Sequence, residues 1–241
     1  MTAGPSNRWA PPTWAVVATV GVMVGVSAAG RFGPPGTMLV AGPLSALLLL
    51  VLAGVAGLGA DDVGLGRRSL RRGAAYALCC IAAVAVVYVV AAWLPATRPA
   101  FLDERYRTDL AAAARISLLV IPFGTILFEE VAFRGVLWGL VRREWGGIPA
   151  TLVSSALFGF WHVLPSLRLN RVNPAVTGLV GPGPAGQAVA VAGAVVFTAA
   201  AGVLLCELRR RSGSLLAPIG LHWAVNGLGV LVTAGTARWS R

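Results

Sequence analysis

The stretch Leu127-Phe128-Glu129-Glu130-Val131-Ala132-Phe133-Arg134-Gly135 places two carboxylates and a guanidinium inside an apolar run that otherwise reads as a membrane span. A charge at bilayer depth costs about 2.5 kcal/mol or more per residue even on the lenient insertion scale. Three such residues within six positions point to a functional site, and the rest of the chain is read for their partners.

The composition agrees with a membrane setting. The 241 residues are 57% hydrophobic and 12% charged, where a soluble domain carries about 25% charged residues. The mean hydropathy is +0.77. The expected fold is all-α, a polytopic transmembrane bundle in the cell membrane with membrane lipids as its surroundings. The formal net charge is +11, but every basic residue is arginine, and most sit in short loops between apolar runs. Such arginines set topology and meet anionic headgroups, so nucleic acid is not an expected partner. Cys79, Cys80 and Cys206 lie within apolar runs and lack metal-ligand spacing or a disulfide pattern; they read as small packing residues.

Taken in order, the chain opens with a short Pro-containing polar segment, residues 1–12. Apolar runs follow at about 13–29, 37–59, 74–94, 113–145, 149–164, 187–208 and 214–234. Val26-Ser27-Ala28 resembles a signal-peptidase site, but the first run is long for a signal sequence and reads as a retained helix. That gives about seven membrane helices, divided into an N-terminal part (1–112), a core (113–235) and a short tail (236–241). The polar segment 95–112 reads as an interfacial connector or a partial lid. Residues 165–186 read as a Pro/Gly-containing loop. Placing the N-terminus inside puts the arginines at 67–72, 142–143 and 209–211 on the cytoplasmic face.

Within the spans the polar set is small: Glu129, Glu130, Arg134, His162, His222 and Asn226. His162 and His222 are the only histidines. Runs four and five form a hairpin turning at Gly146-Gly147, and at 1.5 Å per residue Glu129, Glu130 and His162 each lie roughly 22–26 Å from that turn. His222 lies roughly 16 Å beyond Arg211 by the same rise. All four therefore reach the hydrocarbon layer at similar depth. Glu130 and Arg134 are four apart and can form an ion pair, while Glu129 points about 100° away. His222 and Asn226, also four apart, are expected on one face. A desolvated carboxylate is a stronger base than one in water, and a His–Asn pair offers donors to a tetrahedral oxyanion. The set suits amide hydrolysis in a membrane cavity. Two His and one Glu could instead hold zinc, although no His-Glu-x-x-His signature is present. Each residue also has a plainer reading. Glu130–Arg134 can serve as a strut, the histidines and Asn226 as interhelical hydrogen-bond donors, and Phe158, Phe160, Trp161 and Trp223 as packing residues, with Gly159 allowing close helix approach.

Glu-Glu-x-x-x-Arg (Glu129, Glu130, Arg134), Phe-x-x-x-His (Phe158, His162) and His-x-x-x-Asn (His222, Asn226), in this order on separate apolar runs, resemble the type II CAAX prenyl endopeptidase family, also called the CPBP or Abi family of intramembrane proteases. The approach from Gly202 through Ser212-Gly213-Ser214-Leu215-Leu216-Ala217-Pro218-Ile219 to His222 adds to the likeness, which covers about residues 116–231. The resemblance implies an intramembrane endopeptidase with Glu129 as general base and His162 helping to hold the catalytic water. It implies an oxyanion hole of His222 and Asn226, with Glu130 and Arg134 in support. It implies no cofactor that the glutamate mechanism needs, with zinc as the open alternative because members are often labelled metalloproteases. The implied partner is a membrane-associated or lipidated peptide or protein substrate. The Arg-, Ala-, Gly- and Val-rich composition points to a high-GC bacterial proteome and hence a bacterial plasma membrane. Two other functions fit the polar cavity: a non-catalytic adaptor or bacteriocin-immunity-type protein, and a transporter relaying protons through Glu129 or Glu130, which lacks the expected internal repeat.

Overall fold

The computed structural model describes residues 13–239; the polar segment 1–12 and the last two residues of the tail lie outside the described residues. All regular elements among the described residues are helical. In chain order they are α1 (Thr13–Phe32), α2 (Thr37–Val55), α3 (Arg67–Trp93), α4 (Leu110–Trp145), α5 (Gly147–Trp161), short α6 (Val163–Ser166), α7 (Leu169–Val172) and α8 (Pro174–Val180), then α9 (Pro184–Ser212) and α10 (Leu216–Thr236). Six are long and apolar enough to cross a membrane, and α5 with the bent continuation α6–α7 makes up to seven. The helical run that α10 heads continues to Trp239, into the segment expected as tail.

Residues 165–186 are not the open loop that their Pro and Gly content suggested. Local chemistry makes them helical. Asn173 Oδ1 accepts from the backbone N–H of Ala175 and Val176, and Pro174 occupies the first position of α8; a side-chain cap followed by proline is a strong helix start. The segment docks onto the 95–109 connector, where Asn173 Nδ2 donates to Ala100 O and to Asp103. Asp103 is also clamped by Arg105 through both carboxylate oxygens at 2.9 Å. Burial pushes the Asp103 carboxyl upward, but the hydrogen bonds and charge of Arg105, with Asn173, outweigh it and hold it below its ordinary range.

On the opposite face the turn at 56–66 is drawn against the bundle. Arg143 donates to Gly57 O at 2.9 Å, and Arg209 donates to Asp61 O and Asp62 O at 3.1 and 2.9 Å. Arg209 is thus buried, with its guanidinium 5.3 Å from the Trp138 ring. Its place in a run of three arginines had suggested a headgroup contact instead. Gly64, at φ +80°, allows this approach, because a Cβ there would sit 2.4 Å from Arg209 Nε.

The helices that carry the polar residues are held by close packing. At Gly159 a Cβ would lie 2.7 Å from Val195 O, and at Gly202 3.0 Å from Ser155, so small residues bring α5 and α9 together at two levels. Small contacts of this kind substitute for a hydrophobic driving force between helices in lipid. The fully buried side chains concentrate on α4, including Phe128, Phe133, Val136, Leu137 and Trp138. The helix with the charges is therefore the central one.

Candidate active site

The six candidate residues lie on three elements, and two of those elements depart from regular α geometry at the site. In α4, π-helical segments at Ile116–Val120, Pro122–Ile126 and Val131–Leu137 flank the one turn, Leu127–Glu130, that carries both carboxylates. Pro122 lacks the N–H that a regular ladder requires. In α10 a π segment spans Ala224–Leu228, directly after His222 and Trp223. Wider turns loosen backbone carbonyls, and neighbouring side chains take them up. Trp223 Nε1 donates to Ser117 O and Tyr88 Oη to Val225 O, both at 2.9 Å. Such re-satisfaction makes irregular helix tolerable within a membrane, and π segments cluster at functional sites.

Glu129 and Glu130 are buried and point to different partners. Glu130 Oε1 accepts from Arg134 Nη1 at 3.0 Å, with both side chains fully inaccessible. The same oxygen lies 2.7 Å from His222 Nδ1. A carboxylate held by arginine is an acceptor only, so Nδ1 carries the hydrogen and the imidazole orientation is fixed. This turns His222 Nε2 toward Glu129, 3.7 Å from Oε2. Glu129 is held from the other side, where Oε1 accepts from Trp161 Nε1 at 2.8 Å. Among the described residues Glu129 Oε2 has no hydrogen-bond partner. A buried carboxylate with one oxygen restrained and the other free has the form expected of a positioned base.

Phe158 supports the cluster. The Arg134 guanidinium lies 3.9 Å from its ring centroid, and the rings of His162 and His222 meet it edge to face at 4.6 and 5.8 Å. His162 stands at the junction where α5 and its continuation bend by 40°. Its Nδ1 meets Phe158 O at 2.8 Å; a carbonyl only accepts, so Nδ1–H donates, and in the neutral ring Nε2 is a lone pair. His162 therefore caps the broken helix and keeps one nitrogen for other work. A polar residue at a discontinuity in a span is a recurring way to build a site at membrane depth.

The common depth counted from the sequence is met in part. Glu129, Glu130, Arg134 and His222 are brought into one hydrogen-bonded and ionic cluster, and His162 joins it through Phe158. Asn226 does not share the buried face of His222. It is exposed, and among the described residues no hydrogen bond ties it to the cluster. Asn226 lies within the π segment that begins two residues after His222. Trp161 is the partner that sequence patterning did not reveal, since there it reads as a packing residue. Its only signal was position, one residue from His162 in the turn that faces Glu129 in depth.

A cavity of about 230 Å³ reaches Glu129 from between α1, α2, α4 and α5, with Trp161 in its wall. Among the described residues, no three His, Cys, Asp or Glu side chains gather as a metal set. Glu130 Oε1 holds both Arg134 and His222 Nδ1, Oε2 of each carboxylate is without a hydrogen-bond partner among the described residues, and His222 Nε2 lies 3.7 Å from Glu129 Oε2.

Residues 111–228, which carry every member of the cluster, match the family model described as Type II CAAX prenyl endopeptidase Rce1-like. No curated protein and no solved structure matches the chain. The matched segment runs from the first turn of α4 through the π segment of α10. With its candidate membrane-spanning helices, the chain is a multi-pass membrane protein whose residues 111–228 match the model of a protease family.

Proposed function

We propose that this chain, Rce1-like over residues 111–228, is an intramembrane endopeptidase that hydrolyses a peptide bond with a glutamate-activated water. The observation that carries this reading is the state of Glu129. One carboxylate oxygen is pinned by Trp161, and the other is unpartnered beside a histidine whose orientation is set by Glu130 and Arg134. A base, a group that orients its neighbour and an adjoining cavity are what a hydrolytic site needs.

Glu129 takes a proton from water, and the resulting hydroxide attacks the scissile carbonyl carbon. The negative charge moves to the carbonyl oxygen in the tetrahedral intermediate. Protonated Glu129 then gives its proton to the amide nitrogen as the C–N bond breaks, leaving a carboxylic acid and an amine. The lone pair of His162 Nε2 accepts from the attacking water and fixes its direction. His222 donates to the oxyanion from Nε2 when both its nitrogens carry protons, Nδ1–H staying on Glu130. Asn226 is the second donor in this scheme. Donors aimed at a developing oxyanion are among the strongest sources of rate enhancement in acyl transfer.

The test is Glu129→Gln, which preserves shape and the Trp161 contact but removes the base. Membrane-fraction protein termini are compared between cells expressing wild type and variant at matched levels. New C-termini formed only with wild type are expected. Equal formation of those termini by a folded Glu129→Gln protein refutes the assignment. A deletion phenotype complemented by the variant would favour the adaptor function.

A further inference from the structure

The cavity that reaches Glu129 carries polar groups that the hydrolytic scheme does not use. Ser27 and Arg31 line it from α1, Thr125 and Glu129 from α4. Each pair is four residues apart, so each helix offers a two-residue polar stripe along its cavity face. Among the described residues, Ser27, Thr125 and Arg31 make no hydrogen bond or ion pair; the exposed Arg31 head group lies 5.4 Å from the neighbouring Phe32 ring. Three donors are thus left open around a space whose one acid is Glu129.

Charge decides what fits. A negative group is repelled at the Glu129 end and attracted at the Arg31 end, so an anionic ligand can lie in the cavity in one direction only. Guanidinium pairs with carboxylate through two parallel hydrogen bonds, and the hydroxyls of Ser27 and Thr125 can donate to peptide carbonyls along the way. About 230 Å³ accommodates a short extended stretch of peptide. Arg31 is exposed in the last turn of α1 and shares the cavity wall with the buried carboxylate, with the Ser27 hydroxyl one turn deeper.

We infer that Arg31, with Ser27 and Thr125, forms a substrate subsite that anchors a carboxylate of the peptide whose scissile carbonyl faces Glu129. The inference rests on the hydrolytic reading of Glu129. The carboxylate is supplied by the chain's C-terminus or by an acidic side chain near it.

The experiment uses the full chain carrying Glu129→Gln in nanodiscs of phosphatidylcholine. Three probes are titrated calorimetrically: N-decanoyl-trialanine as free acid, the same peptide as C-terminal amide, and an amide with Asp in its last position. The free acid is expected to bind at least about tenfold more tightly than the neutral amide, in line with a charge-assisted pair. Arg31→Gln is expected to abolish that preference and Arg31→Lys to restore part of it, while Arg115→Gln leaves it intact. Tight binding of the Asp amide assigns the anchor to side-chain carboxylates as well; its failure assigns the anchor to the C-terminus. Equal affinity for acid and amide overturns the subsite, as does an acid preference that survives Arg31→Gln. A preference that disappears in phosphatidylglycerol nanodiscs overturns it in favour of a lipid phosphate on Arg31. Wild-type protein is assayed for cleavage of the same peptides. Acid preference without cleavage keeps the anchor and removes hydrolysis, and cleavage without acid preference does the reverse.

Discussion

Arg134→Met tests whether the buried pair holds the site together. Arg134 and Glu130 are both fully inaccessible, and their contact is a single 3.0 Å bond. Methionine fills much of the same space without the guanidinium that lies over Phe158, and it leaves the Glu130 carboxylate with only His222. Breaking a buried pair by removing one partner costs about 3–5 kcal/mol, because a charge stays buried without compensation. At roughly 2–4 °C per kcal/mol for a chain of this size, the midpoint falls on the order of 10 °C. Cys206 is buried and provides the readout. A thiol-reactive fluorophore, in a Cys79→Ala/Cys80→Ala background, reports its exposure on heating. The double variant Glu130→Gln/Arg134→Met removes both charges. It is expected to regain most of the lost stability, since an uncharged pair of similar volume needs no counter-ion. Cleavage stays impaired in the double variant, because His222 loses the charged support of Glu130. A double variant as unstable as Arg134→Met alone would overturn this account, for it would show that the loss came from packing and not from a stranded carboxylate.

Trp161→Phe keeps the aromatic contacts to Phe128 and Phe133 but deletes the N–H that holds Glu129. A hydrogen bond to a charged group contributes about 1.5–3 kcal/mol, so kcat/KM is expected to drop by about 10- to 100-fold with the melting midpoint little changed; unchanged kinetics would return Trp161 to a packing role. Gly64→Ala forces a side chain into φ +80° and against Arg209. It is expected to destabilise by about 1–3 kcal/mol, and Gly64→Ala melting like wild type would disprove the tight fit. The Asp103 clamp depends on pH in a defined direction. Its carboxyl is lowered in the fold, so its stabilisation is present above the ordinary carboxylate range and is lost as pH falls through the depressed value. Hydrogen exchange of the 95–109 connector is expected to accelerate at the acid end in wild type, and Asp103→Asn to flatten that dependence; an identical acid response in the variant would place the titration elsewhere.

The class of fold and most of the site's contents follow from the order of residues alone. Apolar runs of span length dictate helices in lipid, because a backbone there has no water to bond and must satisfy itself. The cost of charge at that depth singles out Glu129, Glu130 and Arg134, and counting residues from the turns puts His162 and His222 level with them. The i,i+4 pairing of Glu130 with Arg134 is legible for the same reason, being a contact within one helix. Which groups meet between helices follows from packing instead. Periodicity says which face a residue occupies on its own helix but not how the helices are rotated against each other. That rotation brings His222 to Glu130 and Trp161 to Glu129, and it buries Arg209 while its neighbours Arg210 and Arg211 stay exposed. The π segments lie beyond sequence reading as well. They arise where side chains from neighbouring helices take up the loosened carbonyls, as Trp223 and Tyr88 do at Ser117 and Val225. Packing also leaves Asn226 exposed while His222 is buried, because the neighbours around a helix, and not the spacing along it, decide which residues are covered.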